Sequence, residues 1–369
     1  MKLFVFGSSL TSSYWNGAAT YYRGIYKHLH RLGYEITFAE PDIYGRQQKR
    51  DAGEIDYANV RVYQTPRDLN EVLAEACGSD LIIKHSGVGA DDEFLEEAAL
   101  RCRAGGAKAA FWDVDAPATL ARVEDNPEDA FRRLIPQYDF VFTYGGGAPV
   151  VEHYLALGAR NCVPIYNALD PETHYPVEPD PGLVCDLAFV GHRLPDREQR
   201  VQDFFFAAAE LAPDLQFILG GEGWGGRALP NNVRWIGHVG IADHNRVNCS
   251  ARMVLNINRQ SMADVGFSPP TRVFEAAGAG VCLITDAWAG IDQFFVPGEE
   301  ILVASSAEDI VSLLRTYQGD QARAIGKRML QRVLRDHTYS LRARQVDATL
   351  RTVFPVRKAD PAPLIYSHA

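Results

Sequence analysis

Short apolar runs alternate with amphipathic stretches along the first half of the chain. The runs at 2–6, 35–39, 80–84, 108–112, 139–143 and 161–165 read as buried strands. Between them, stretches such as 21–32 and 91–103 repeat apolar residues at three and four positions, the period of a helix with one buried face. Strand and helix in alternation predict a parallel sheet covered on both faces. The pattern falters at 166–182, where Asn167, Asp170, Pro171, Pro176, Pro179, Asp180 and Pro181 predict a crossing between domains. It then restarts with a strand at 186–191, a helix at 197–211 and a strand at 216–219. Further strands are expected at 233–236, 253–257, 281–285 and 301–303. Helices are expected at 242–250, 270–279, 307–317 and from 320 onward. The expected fold class is therefore α/β, with two Rossmann-like, doubly wound domains at 1–168 and 169–338. Residues 339–369 form a last helix and a proline-containing tail.

Composition narrows the function classes. A chain of 369 residues suits two domains of ordinary size, and no stretch approaches the roughly 20 apolar residues of a membrane helix. The N-terminal apolar run ends at Gly7, too soon for a secretory signal, so a cytoplasmic location is expected. Six cysteines without a close pair suggest neither a zinc ribbon nor a disulfide framework, and are expected to be reduced. A net charge of −10 opposes binding to a nucleic-acid backbone, which depends on releasing counterions to basic side chains. Basic residues gather only between Arg323 and Arg344, which supports at most a peripheral membrane contact. A homodimer is compatible with all of this.

In open α/β sheets ligands bind beyond the carboxyl ends of the strands, so the residues that follow strands carry the candidate chemistry. The segment 266–280 opens a helix after Ser268-Pro269-Pro270, with Ser268 as expected cap. Such a helix start offers orphan N–H groups and a positive dipole end to a diphosphate. Arg272 adds a permanently charged fork for phosphate oxygens, and Glu275, one turn on, can accept from both hydroxyls of a ribose. Taken alone, a helical glutamate is more often a solvent-facing charge.

Residues Arg272 to Asp286, with Phe189-Val190-Gly191-His192-Arg193 upstream and Phe294 to Glu300 downstream, resemble the nucleotide-sugar-binding domain of GT-B glycosyltransferases, and within them the group related to the spore-maturation protein CgeB. The resemblance is strongest over 185–317. It implies that Glu275 holds the donor ribose and that Arg193 and Arg272 lie at the diphosphate. Many retaining relatives carry another glutamate eight positions before the ribose carboxylate. Here that position is Phe267, with Asp264 as the nearest substitute, and the stereochemical outcome stays open.

Three further places follow strands. Gly191 in the turn Gly191-His192-Arg193 permits close backbone approach to phosphate, with Arg193 favoured over Arg197 as its partner. The loop 7–20 is long for a strand-to-helix connection. Its Tyr14, Trp15 and Asn16 suit a sugar or polar acceptor, and Gly17 can face the donor phosphates. His85, Asp113 and Asp115 follow two first-domain strands and are the candidates for orienting and deprotonating an acceptor hydroxyl. Asp113 and Asp115 alternate along an extended chain and so can share a side. Asp113-Val114-Asp115 has the form of a metal-binding Asp-x-Asp, but a phosphate-binding helix between two lobes makes a metal unnecessary; no metal and no cofactor are expected.

The expected activity is transfer of a sugar from a nucleoside diphosphate sugar, of the UDP kind or a related one, to an acceptor hydroxyl. The alternatives are a nucleotide-sugar epimerase of the same fold and a non-catalytic nucleotide-sugar-binding protein. A nicotinamide or flavin enzyme would want a Gly-x-Gly-x-x-Gly fingerprint, which Gly7 to Ser12 lacks.

Overall fold

A computed structural model of the chain describes residues 1–103 and 106–354. The proline-containing tail expected after Phe354 lies outside the described residues.

The first sheet has seven strands: β1 (Lys2–Phe6), β2 (Glu35–Pro41), β3 (Asn59–Tyr63), β4 (Leu81–His85), β5 (Lys108–Asp113), β6 (Phe140–Thr143) and β7 (Val163–Pro164). All run parallel, in the order β3-β2-β1-β4-β5-β6-β7. The second sheet comprises β8 (Cys185–Val190), β9 (Phe217–Gly220), β10 (Val233–Trp235), β11 (Ala251–Asn256), β12 (Cys282–Asp286) and β13 (Leu302–Ala304). It is also parallel, in the order β10-β9-β8-β11-β12-β13. Each sheet reverses strand order beside its first strand, which opens the crevice typical of doubly wound folds. The central strands are apolar runs because both their faces are buried; every residue of β4 and β12 is buried. The edge strand β3 escaped the sequence reading for the converse reason: Asn59-Val60-Arg61-Val62-Tyr63 is half polar and half exposed.

The chain crosses between the sheets twice, at adjacent points. Leu169 N–H donates to His337 O at 2.8 Å, and Tyr339 N–H donates to Leu169 O at 2.9 Å. The last helix, Tyr339–Arg351, then packs on the first lobe against the helix Ala19–Arg31. Tyr339, Ala343, Val346 and Leu350 enter the same core cluster as Tyr21, Ile25 and Leu29. Gly24 makes this packing possible, since a Cβ there would lie 2.2 Å from the Tyr339 ring. Gly24→Ala is expected to overpack the contact by about 1–3 kcal/mol and to lower the melting temperature by several degrees. An unchanged melt would show that the helix docks elsewhere.

One expectation is corrected. Cys77 and Cys102 are joined by a disulfide, with Cα atoms 4.4 Å apart, tying the ends of the helices Pro66–Ala76 and Asp92–Arg101 together. Twenty-five residues separate them in sequence, so spacing gave no sign of the pair. Disulfides belong mainly to oxidising compartments, so this pair departs from the reduced state expected for all six cysteines.

Candidate active site

A cavity of about 510 Å³ lies between the lobes, walled by both. Its second-lobe wall begins at Gly191, directly after β8. Ideal Cβ geometry at Gly191 would fall 2.9 Å from an Arg197 terminal nitrogen and 3.0 Å from one of Arg272, so the missing side chain is what lets two guanidinium groups converge. Arg272 is fixed by donating Nε–H to Val190 O at 2.6 Å and a terminal N–H to Asn256 Oδ1 at 3.1 Å. Arg197 donates to His192 O, while its Nε is buried without a partner. Both cations lie over the Phe189 ring, at 5.6 and 5.2 Å. Burial and the neighbouring Arg272 push Arg197 down to about 9, and burial lowers Arg272. Two buried like charges held together is an arrangement that an anion stabilises. The helix Thr271–Ala279 starts at the same corner, with Pro270 as its N-cap and no side-chain cap. Ser268 does not cap it as expected; its hydroxyl donates to Gly266 O. The first N–H groups of the helix are therefore left for a ligand, and Thr271 and Arg272 line the cleft.

Arg193 is a correction. It is paired with Glu198 at 2.6 Å, half-exposed, and does not line the cleft. The turn aims Arg193 at Glu198, whereas Arg197, four residues later, lines the cleft; the structure thus brings Arg197, not the favoured Arg193, beside Arg272.

One turn beyond Arg272, Glu275 is 8% exposed and lines the cleft. His174 Nε2 stands 4.0 Å from one carboxylate oxygen and His244 Nδ1 3.6 Å from the other. Burial would raise the Glu275 carboxyl, but His174, His244 and Arg272 bring it down to about 2, so it is an anion at working pH. Burial lowers His174. Thr173 Oγ lies 3.1 Å from Asp170 O and 3.0 Å from His174 Nδ1, which holds the ring in place. His174 Nε2 is buried beside the carboxylate without a hydrogen-bond partner. The three ligand atoms lie within 4.8 Å of one another, close enough for a divalent cation as well as for the paired hydroxyls of a diol.

The first-lobe wall comes from the loop after β1 and from the end of β5. Asn16 donates to Ser9 O and Ser12 O and accepts from the Ser8 hydroxyl, and Arg46 donates to Ser8 O and Trp15 O, so the loop is held as a unit. Asn16 and Gly17 line the cleft, with open space in front of Gly17. Trp15 lines it too, 48% exposed and in the left-handed region at φ +48°. It stacks on His192 of the other lobe at 5.5 Å, and His192 stacks on His238 at 6.1 Å. Tyr14, expected beside it, instead faces away, with Lys49 Nζ 3.4 Å above its ring.

Asp115 lines the cleft. One oxygen accepts from Arg259 at 3.0 Å, and the other is buried without a partner. Arg259 also donates to Asp196 at 3.0 Å and so ties the lobes together. Asp113 does not share that side, contrary to the alternation argument. It turns into the first-lobe core, where it accepts from the Ser86, Thr119 and Tyr154 hydroxyls and from Asp115 N–H. His85 is likewise removed from the cleft. It is fully buried among Tyr22, Tyr26 and Trp112, with Nε2 on the Tyr26 hydroxyl, and burial holds it well below the usual histidine range. Both thus lie in the first-lobe core and not on the cleft wall. Phe267, also left-handed at φ +49°, packs near Gly147 and Gly290, and Asp264 is exposed and bonded by Gln260. Neither lines the cleft. Arg259, His174, His238 and His244 were missed: each lies in a crossing, a turn or a half-polar helix where no sequence period marks a ligand.

Residues 197–348 match the family described as glycosyl transferase-like. No curated protein matches the sequence. Several solved structures share the fold over nearly the whole length. Sucrose-phosphate synthase from Thermosynechococcus elongatus is 14% identical, covering 96% of this chain and 98% of its own, with a TM-score of 0.67. Anabaena HepE in complex with UDP-glucose is 14% identical, covering 95% and 99%, with a TM-score of 0.65. An alpha-glucosyltransferase in complex with UDP-glucose and DNA is 10% identical, covering 95% and 98%, with a TM-score of 0.68. The two facing sheets are those of the GT-B fold.

Proposed function

We propose that this chain of GT-B fold is a glycosyltransferase, that its second lobe grips a nucleoside diphosphate sugar and that its first lobe presents the acceptor hydroxyl to it. The reading rests on the order of groups along one wall. Arg197, Arg272 and an uncapped helix start meet the diphosphate, and one turn on Glu275 with His174 meets the ribose diol. Glu275 accepts from both hydroxyls, and the recess at Gly221, His238 and Val239 takes the base. Uridine is the base assigned, by analogy with the UDP-bound neighbours, and the CgeB-like group is the subfamily assigned, on the motif from Arg272 to Asp286. Asp115, the one first-lobe carboxylate on the cleft wall among the described residues, orients the acceptor hydroxyl through its free oxygen. Closed lobes exclude water, the competing acceptor.

Thermal-shift titration of wild type and Glu275→Ala with UDP, GDP, TDP and their sugars tests the donor site. One nucleoside diphosphate is expected to stabilise the wild type and not the variant. Its 2′-deoxy form is expected to bind about tenfold or more weakly, because a buried acceptor is then left unpaired at about 1–3 kcal/mol. Chelation with EDTA is expected to change nothing. Equal responses from both proteins would detach Glu275 from the ribose, and a nucleotide response that needs a divalent ion would give the His174, His244 and Glu275 cluster to a metal instead.

A further inference from the structure

A second cavity, of about 430 Å³, opens in the first lobe at the carboxyl ends of β2 and β3. None of the chemistry above uses it. Part of its wall is Tyr63, the last residue of β3, which is 3% exposed and whose hydroxyl is buried with no hydrogen-bond partner. Asp42, Asn70 and Asp91 add polar groups to the wall, and Phe94, from the helix Asp92–Arg101, stands 47% exposed beside them.

This mixture selects a class of ligand. A purely apolar molecule would leave the buried Tyr63 hydroxyl unpaired and lie against the carboxylates of Asp42, which Gln64 already bonds, and Asp91. A phosphorylated one would meet those carboxylates with no lysine or arginine among the lining residues. A pyranose ring satisfies both sides, setting its C–H face on the Phe94 ring and its hydroxyls on the carboxylates, the amide and the phenol.

The position adds a second constraint. In sheet order β2 and β3 follow directly outward from β1, whose loop walls the cleft. The cavity thus lies one to two strand spacings, on the order of 5–10 Å, further along the same edge. The segments 43–46 and 87–90 reach both: Arg46 and Gly87 border the cleft, while Ile43 and Ala90 border the second cavity. Gly89, at φ +99°, lets these two segments close up, since a Cβ there would meet Ile43 at 2.9 Å and Tyr44 at 3.3 Å.

We propose that this cavity is a distal acceptor subsite and that the acceptor is a glycan of several sugar units, its terminal unit in the cleft and an inner unit on Phe94 and Tyr63. The proposal rests on the glycosyl-transfer reading, and it replaces an acceptor of one small unit with an extended chain.

Calorimetric titration with maltohexaose, cellohexaose, chitohexaose and mannohexaose, each against its monosaccharide and with UDP present, tests it. At least one hexasaccharide is expected to bind tenfold or more tightly than its monosaccharide. That margin is expected to vanish in Phe94→Ala and to shrink at least threefold in Tyr63→Phe, with UDP affinity kept in both. No gain from chain length, or a gain that survives both substitutions, would overturn the subsite. Failure of UDP to bind the wild type would strike the donor reading instead; the same titrations without UDP would then judge the second cavity by the same two outcomes.

Discussion

Arg272→Ala is expected to lower kcat/KM for the donor sugar by about two to three orders of magnitude while moving the melting temperature of the ligand-free protein little. Removing one partner of a buried charge-assisted contact costs about 2–5 kcal/mol, and every 1.4 kcal/mol is tenfold. The ligand-free protein loses two hydrogen bonds, to Val190 O and Asn256 Oδ1, but is relieved of the repulsion between Arg272 and the buried Arg197. Activity and stability should therefore part company. Arg193→Ala is the control, with an effect under about twofold, because that side chain is already satisfied by Glu198 at the surface. A melt that falls in step with activity in Arg272→Ala would make the residue a support of the fold instead of a phosphate ligand.

Asp115→Asn should reduce kcat by about a hundredfold or more, the usual range for a group that orients and deprotonates a reacting hydroxyl, and leave nucleotide binding intact. The substitution keeps the shape of the side chain and an oxygen for Arg259, so the lobes stay tied. Arg259→Ala separates the two roles of this corner. It cuts the link to Asp115 and Asp196 but leaves the carboxylate, and its effect should stay within about tenfold. If Asp115→Asn turned over within threefold of wild type in steady-state transfer assays, Asp115 would be a tie between lobes and nothing more.

The fold was legible because parallel strands buried on both faces must be apolar throughout, and twelve of thirteen were found on that ground. Only β3 was hidden, by its exposed edge. The site was legible where one local motif builds it. Gly191, Arg272 and Glu275 follow strand ends or open one helix, and all three line the cleft. It was illegible where the outcome depends on which way a side chain turns. Arg193 stands in the turn before the helix Pro195–Val201 and Arg197 within it, and only the path of that turn shows that Arg197 is the one beside Arg272. Asp113 and Asp115 alternate as in a strand, yet β5 ends at Asp113, so the period no longer holds at Asp115. His85 looks like a catalytic histidine after a strand, and only the rings of Tyr22, Tyr26 and Trp112 seal it off. His174 and His244 come from separate segments that no local pattern connects to Glu275.

The docking of Tyr339–Arg351 on Ala19–Arg31 bears on biosynthesis. As the nascent chain leaves the ribosome, the aromatic stripe of Tyr21, Tyr22 and Tyr26 emerges more than 300 residues before Tyr339–Arg351, the helix that covers part of it. At ordinary elongation rates of roughly 5–20 residues per second the gap is on the order of 15–60 s. Throughout that interval the lobe begun first stays incomplete, and the second lobe's strands are all made before the helix that completes the first.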